Sequence, residues 1–251
     1  MDSKTYWEMR NRLVLDKTLV TNEKLAANYK MATIRLERKI LELWRAMEKR
    51  GGITPANLVQ LQRYVEIQNQ IDNELRALGQ QTEKRVASDL LEIGKLGVDS
   101  VSEFYGSEIL TMSPQVIEQI TRAPYKGDIF SNRIWKNTEK INRLIKKCVF
   151  DTTVAGEDVR KVSKRVSNIM TAAYNDSKRI VITETGRVFN EAARLSAKEL
   201  GFKGYTLILE PTACSECRVH EKDYYDIDTS VLPFHPYCKC SIRIDTRIGD
   251  Q

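Results

Sequence analysis

The apolar positions of this chain recur with a helical period over most of its length. From Asn22 onward, Leu25, Tyr29, Ala32, Leu36, Ile40, Leu43 and Met47 follow one another at steps of three and four, which places them on one helical face. Lys30, Arg35, Glu37, Arg38 and Glu42 fall between them as the solvated face. Ahead of this stretch, Asp2 or Ser3 is placed to cap a short N-terminal helix carrying Tyr6 and Trp7. Gly51-Gly52 is expected to end the second helix, and Thr54-Pro55 to restart another as N-cap and first helical residue. Leu58, Leu61, Val65, Ile71, Leu75 and Leu78 carry the pattern to Gly79, so the first segment reads as a helical hairpin. Polar Gln68 interrupts its stripe in the manner of a thin coiled-coil seam.

A third helix is expected from about Thr82 to Met112, with a kink or break at Gly94 and Gly97, each costing up to ~1 kcal/mol relative to alanine. Ser113-Pro114 restarts a short helix, and Ala123-Pro124-Tyr125-Lys126-Gly127 reads as a loop and the first domain boundary. Beyond it, Ile134, Ile141, Ile145 and Cys148 share a face of a helix starting near Asp128. Val159, Val162, Val166 and Ile169 mark the next helix, and a long one runs from about Met170 to Leu200, closed by Gly201. Only then does the period change: Tyr205 to Leu209 is β-type, and Ser241-Ile242-Arg243-Ile244 alternates like a strand. The expected fold is mainly α, with long helical N-terminal and central regions and a small C-terminal α+β zinc-knuckle-like module. The expected domains are a helical assembly region over 1–122, a central helical region over 123–203, and a module over 204–251 packed on helix 170–200.

Composition fits a soluble helical protein of 251 residues, with 41% hydrophobic and 29% charged residues. No run approaches a membrane span, and the N-terminus lacks the apolar core of a signal peptide, so synthesis in a reducing cytoplasm is expected. The net charge of +6 permits contact with nucleic acid or an acidic protein without demanding either. Part of that charge is clustered. Lys136, Lys140, Arg143 and Lys147 share one helical face, and Arg160, Lys161, Lys164 and Arg165 form a second cluster in the next helix. Both read either as solvated faces or as a stripe for phosphates or an acidic partner. No aromatic residues interleave as base-stacking platforms require.

The candidate chemistry lies near the C-terminal end, where four of the five cysteines fall in two tight pairs. Cys214 and Cys217 have the spacing of a zinc knuckle, and Cys238 and Cys240 follow His235 by three and five residues. Soft thiolates can fill all four positions of a zinc tetrahedron and leave none open for water, so a closed structural site is expected. Two disulfides, a redox pair or plain packing are the competing readings, and a reducing compartment favours metal. Cys214 and Cys217 are the firmest ligands; the choice among His235, Cys238 and Cys240 stays open. His220, beside an acidic and tyrosine-rich loop, is a weaker candidate than His235. No His-Glu-x-x-His pair, phosphate-cradling glycine loop or serine-nucleophile motif occurs in the sequence, so no catalytic residue is assigned. Arg179, Thr183, Glu184, Arg187 and Asn190 fall at helical spacing and read as a structural network packing the long helix on the module.

Several of these stretches resemble one family, the minor head or head-morphogenesis proteins of tailed bacteriophages (the Mu F-like group). They are Arg179-Ile180 with Thr183-Glu184, Arg187, Asn190 and Ala192; Cys214 and Cys217 with Asp223 downstream; and His235-Pro236-Tyr237-Cys238-Lys239-Cys240. Phe130 to Trp135 resembles the segment that precedes the module in this family, and Tyr6-Trp7 with Arg10 resembles the start of such proteins in phages of Gram-positive hosts. The family has glycine after the acidic residue, where this chain has Tyr224. The resemblance implies a virion component made in the bacterial cytoplasm and held inside the head. Its implied partners are the portal, capsid or scaffold proteins and, without sequence specificity, DNA. It also implies a role in head assembly, and travel with the genome on ejection. Self-association is a further expectation. The alternative is an enzyme, a nuclease or toxin-like transferase, built on the same module.

Overall fold

A computed structural model describes residues 1–48, 62–106, 112–155 and 158–244. Among these, α1 spans Ser3–Glu48, α2 Gln62–Tyr105, α3 Pro114–Arg122, α4 Phe130–Val154 and α5 Val159–Glu199. Strand β1 covers Gly204–Ile208, the one-turn helix α6 Ser215–Arg218, β2 Tyr225–Asp226 and β3 Ser241–Ile244. The fold is thus mainly α, with a small C-terminal sheet beside a Cys/His cluster. No helix among the described residues is long and apolar enough to cross a membrane. Gly51-Gly52, Thr54-Pro55, Leu58 and Leu61, together with the Met47 side chain, lie outside what is described.

Four expected breaks are not there. The N-terminal helix and the one after Asn22 are a single helix of 46 residues, opened by Asp2, whose carboxylate accepts the Thr5 N–H at 3.0 Å. Gly79 does not end a helix, and none starts at Thr82; both lie inside α2. A Cβ at Gly79 would stand 3.0–3.2 Å from Thr138 and Trp135, so the glycine lets α4 approach. Gly94 and Gly97 likewise leave α2 continuous. A Cβ at Gly94 would meet Ile117 at 2.7 Å, and one at Gly97 would meet the Phe189 carbonyl at 2.7 Å. The expected helices over 159–169 and 170–200 are also one, α5. The short helix after Ser113 forms as expected, with Ser113 accepting the Val116 N–H.

The chain divides into two compact units. One comprises Met1–Asn22, Arg85–Phe130 and the chain from Arg179 onward; the other comprises Glu23–Lys84 and Ser131–Lys178. This cuts across the expected consecutive segments 1–122, 123–203 and 204–251, because α1, α2 and α5 each contribute to both units.

The second unit is a bundle of helical segments around one apolar core. Leu36 and Ile40 from α1, Ile71 and Leu75 from α2, Ile145 and Val149 from α4, and Val166 and Met170 from α5 are all buried in it. Leu36, Ile40, Ile71, Leu75, Ile145 and Val166 sit on the faces their spacing assigned. Val65 does not: it is 56% exposed. Glu83 accepts the Trp135 indole N–H at 2.9 Å and the Ser131 hydroxyl, which ties the start of α4 to α2.

In the first unit, Trp7 is fully buried and the Tyr6 hydroxyl donates to the Ser100 carbonyl at 2.8 Å. The sheet is antiparallel in the order β2-β1-β3, with Tyr205 opposite Ile244 and Leu207 opposite Ile242. So small a sheet has little apolar area to hold it, and its order leans on what surrounds it.

Candidate metal centre

The first arm of the centre is the turn opened by Cys214. The amides of Cys217 and Arg218 both donate to the Cys214 carbonyl, which winds the two thiols onto one turn. The second arm is 235–240. The Cys238 amide donates to the His235 carbonyl at 3.1 Å, folding Cys238 back beside the imidazole. The arms meet through their donor atoms. His235 Nε2 lies 3.2 Å from the Cys214 sulfur and 3.1 Å from that of Cys217, and the Cys217 and Cys238 sulfurs are 3.8 Å apart. Two overlapping groups result among the described residues, Cys214, Cys217 and His235, and Cys217, Cys238 and Cys240. Cys217, Cys238 and Cys240 are buried and Cys214 is exposed.

These residues fit a metal ion. A tetrahedral centre with metal–sulfur bonds near 2.3 Å sets sulfur pairs about 3.8 Å apart, and sulfur–nitrogen pairs about 3.6 Å apart. The sulfur pair matches, and the nitrogen separations fall a few tenths of an ångström inside. The imidazole is also in the right tautomer. His235 Nδ1 is 2.7 Å from the Pro236 carbonyl, which can only accept, so Nδ1 carries the proton and Nε2 turns its lone pair to the sulfurs.

The charges of the cluster point the same way. The Cys240 thiol, donating to Cys238, holds the Cys238 pKa down to about 5 against the effect of burial. Burial, then the Cys238 charge, pushes Cys217 up to about 12, and the bond to Cys238 together with burial raises Cys240 as well. A divalent ion supplies the charge that lets several become thiolates together. Burial opposes the charged form of His235, but the Pro236 carbonyl and the Cys238 and Cys214 sulfurs outweigh it and raise its pKa.

The ligand loop is held from outside by side chains. Thr183 accepts the Tyr237 amide at 3.1 Å, at a residue whose φ of 68° is in the left-handed region. Asn190 donates to the Cys240 carbonyl at 3.2 Å and accepts from the Ile242 amide and the Ser241 hydroxyl at 3.0 Å each. Of the expected network, Thr183 and Asn190 therefore reach the module. The Arg179 carbonyl accepts the Thr183 hydroxyl within the helix. Arg187 and its partner Glu184 also serve α3. They pair at 2.6 Å, and the Arg187 guanidinium donates to the Ile120 and Thr121 carbonyls at 2.9 Å each, closing the C-terminal end of α3.

Sequence reasoning missed three supporting residues. Asn11 donates to the Lys239 carbonyl at 3.3 Å, Lys126 donates to that of Phe234 at 3.1 Å, and Arg194, paired to Glu191, donates to that of Ile227. An asparagine in α1 carries no signal that its partner lies 228 residues away. Glu191 and Arg194 repeat the three-residue spacing of Glu184 and Arg187, a cue that was available. His220 is engaged away from the thiols, with Asp223 at 2.8 Å and Tyr225 at 2.9 Å, and it stacks on Phe234.

The two basic clusters are on the second unit. Lys136, Lys140, Arg143, Lys147, Arg160, Lys161, Lys164 and Arg165 are all exposed. Lys140 faces Asp176 at 3.5 Å and Lys147 faces Asp151 at 2.6 Å, which neutralises part of the charge. Lys147 and Arg165 both line a groove of about 340 Å³ between α4 and α5, lined also by Leu144, Cys148, Asp151 and Ile169. No family model, curated protein or solved structure matches the chain.

Proposed function

We propose that the centre binds zinc in a closed, structural role and that the chain is a minor head protein of a tailed bacteriophage, of the Mu F-like kind. One observation supports this most. The three stretches that carry the resemblance are far apart in sequence, yet Thr183 and Asn190 of α5 hold the loop of His235 to Cys240, and that loop meets Cys214 and Cys217. In this reading the ion fixes the sheet and ligand loop on α5 as a rigid docking unit. The portal and the capsid or scaffold proteins are its partners during head assembly. The exposed lysines and arginines of α4 and α5 contact packaged DNA through its phosphates, without reading sequence, and the protein leaves with the genome.

Mass spectrometry of purified particles tests the virion assignment: the chain is expected in mature particles, at low copy beside the portal. Its presence in lysate but not in particles overturns the assignment. Duplex DNA titrated at rising salt tests the phosphate contact, with affinity expected to fall steeply. Salt-independent affinity contradicts it, and cleavage of the DNA by the purified chain overturns the non-enzymatic reading in favour of a nuclease.

A further inference from the structure

Strand β1 is covered unequally on its two sides. On one, β3 pairs with Tyr205 to Ile208; on the other, β2 pairs with Gly204 and Tyr205 alone. Just ahead of β2 the chain turns away, with the Asp223 amide donating to the His220 carbonyl at 3.2 Å. We propose that the uncovered edge of β1, at Thr206 to Ile208, takes an added strand: an extended segment of a partner protein that alternates apolar and acidic residues. This rests on the reading of the sheet as a docking unit and states how it docks.

The main-chain groups point the right way. Along a strand, the N–H and C=O of every second residue face the same neighbour. The Lys203 carbonyl accepts the Ile227 amide at 2.8 Å, so Lys203, Tyr205 and Leu207 turn these groups toward the β2 side. The other side agrees: Ile242, opposite Leu207 in β3, gives its amide to Asn190 at 3.0 Å and so faces away from β1. Leu207 therefore presents an N–H and a C=O at an edge where, among the described residues, β2 has already ended. The space fits as well. Thr206 to Leu209 line a cleft of about 430 Å³, with Glu221 and Lys222 among its other walls. A cavity on the face of a sheet touches every second residue, whereas one that touches four in succession runs along the edge. Three strand residues at the spacings of a packed sheet fill about 480 Å³, close to the size of this cleft.

Charge selects the occupant. The cleft is lined by three cations, Lys4, Lys222 and Arg243, against the carboxylates of Glu8 and Glu221. Arg243 lies opposite Thr206 and donates from Nε to its hydroxyl at 3.0 Å. An added residue opposite Thr206 projects on that same face, so a carboxylate there meets the guanidinium. Its neighbour opposite Leu207 turns toward the buried face, which takes an apolar side chain. Two copies of this chain joined edge to edge set the excess positive charge of one cleft against that of the other.

The test uses the zinc-loaded full chain and capped six-residue peptides in which valine alternates with glutamate or with lysine. The glutamate peptide is expected to slow exchange of the Leu207 amide and to bind about tenfold more tightly than the lysine peptide. N-methylation of its amides that face β1 is expected to weaken it by at least about tenfold. Arg243→Ala and, separately, Lys222→Glu are each expected to weaken the glutamate peptide about threefold to fivefold and to leave the lysine peptide no weaker. Binding that N-methylation does not change, or that leaves Leu207 exchange as it was, overturns the strand pairing. Failure of both peptides to bind at millimolar concentration overturns the proposal, as does a dimer in sedimentation that the peptide disperses, which gives the edge to a second copy. The virion assignment is read separately, from particles, and a chain that holds no zinc yet binds the glutamate peptide at Leu207 keeps this proposal and defeats the metal reading.

Discussion

The two halves of α5 solve different problems. Over 159–178 its inward residues Val162, Val166, Met170 and Ala173 pack in an apolar core with segments of three other long helices. Over 179–199 the same helix buries Thr183, Glu184, Arg187, Asn190 and Arg194 among its apolar residues. The difference follows from what each half faces. Long helices satisfy their own backbones, so covering them requires only apolar area. The end of α3, the ligand loop and the stretch before β3 leave amides and carbonyls without partners, and buried polar side chains on α5 meet them. A helix can thus be a wall of a core in one stretch and a rack for irregular chain in the next.

That contrast can be broken at chosen points. Glu184→Gln removes the carboxylate hydrogen-bonded to the buried Arg187 guanidinium and is expected to cost about 3–5 kcal/mol, read as lost amide protection in α3. Protection in α3 that matches wild type removes the pair from the account. Ile71→Ala empties a fully buried site in the second unit, at about 2–5 kcal/mol by denaturant melting, while zinc content at the Cys/His centre stays the same. A fall in metal content there contradicts the independence of the two devices. Asn190→Ala strands the Ile242 amide and the Cys240 carbonyl, costing about 1–3 kcal/mol, and weakens zinc retention by the loop. Unchanged retention shows that the loop holds its shape without the helix.

The same contrast sorts what the sequence disclosed. Leu36, Ile40, Ile71, Leu75, Ile145 and Val166 lie where their spacing put them, because a helical face repeats and repetition is visible. The strands at 204–208 and 241–244 were legible from β-type residues beside the cysteine pairs. The glycines misled. Gly79 read as a helix end and Gly94 and Gly97 as weak points, yet at each another element approaches closely, tightly at Gly79 and too closely for a Cβ at Gly94 and Gly97, and composition does not separate the two uses. The donors were legible as residue types at ligand spacing. Their supports Asn11 and Lys126 were not, since single long-range hydrogen bonds leave no period. The interleaving of the units was hidden for a related reason: a helix that passes from one core to the next shows no break in its pattern.

The most direct test is hydrogen exchange of the full chain with zinc bound and after exhaustive chelation. Zinc held by a folded site contributes apparent free energy on the order of 10 kcal/mol, more than a sheet of this size supplies by packing. Chelation is therefore expected to abolish amide protection in β1, β3 and the 235–240 loop, and to leave protection in the helices of the second unit in place. Protection of β1 and β3 that persists at full strength in demonstrably metal-free protein contradicts the claim that an ion holds this end of the molecule together.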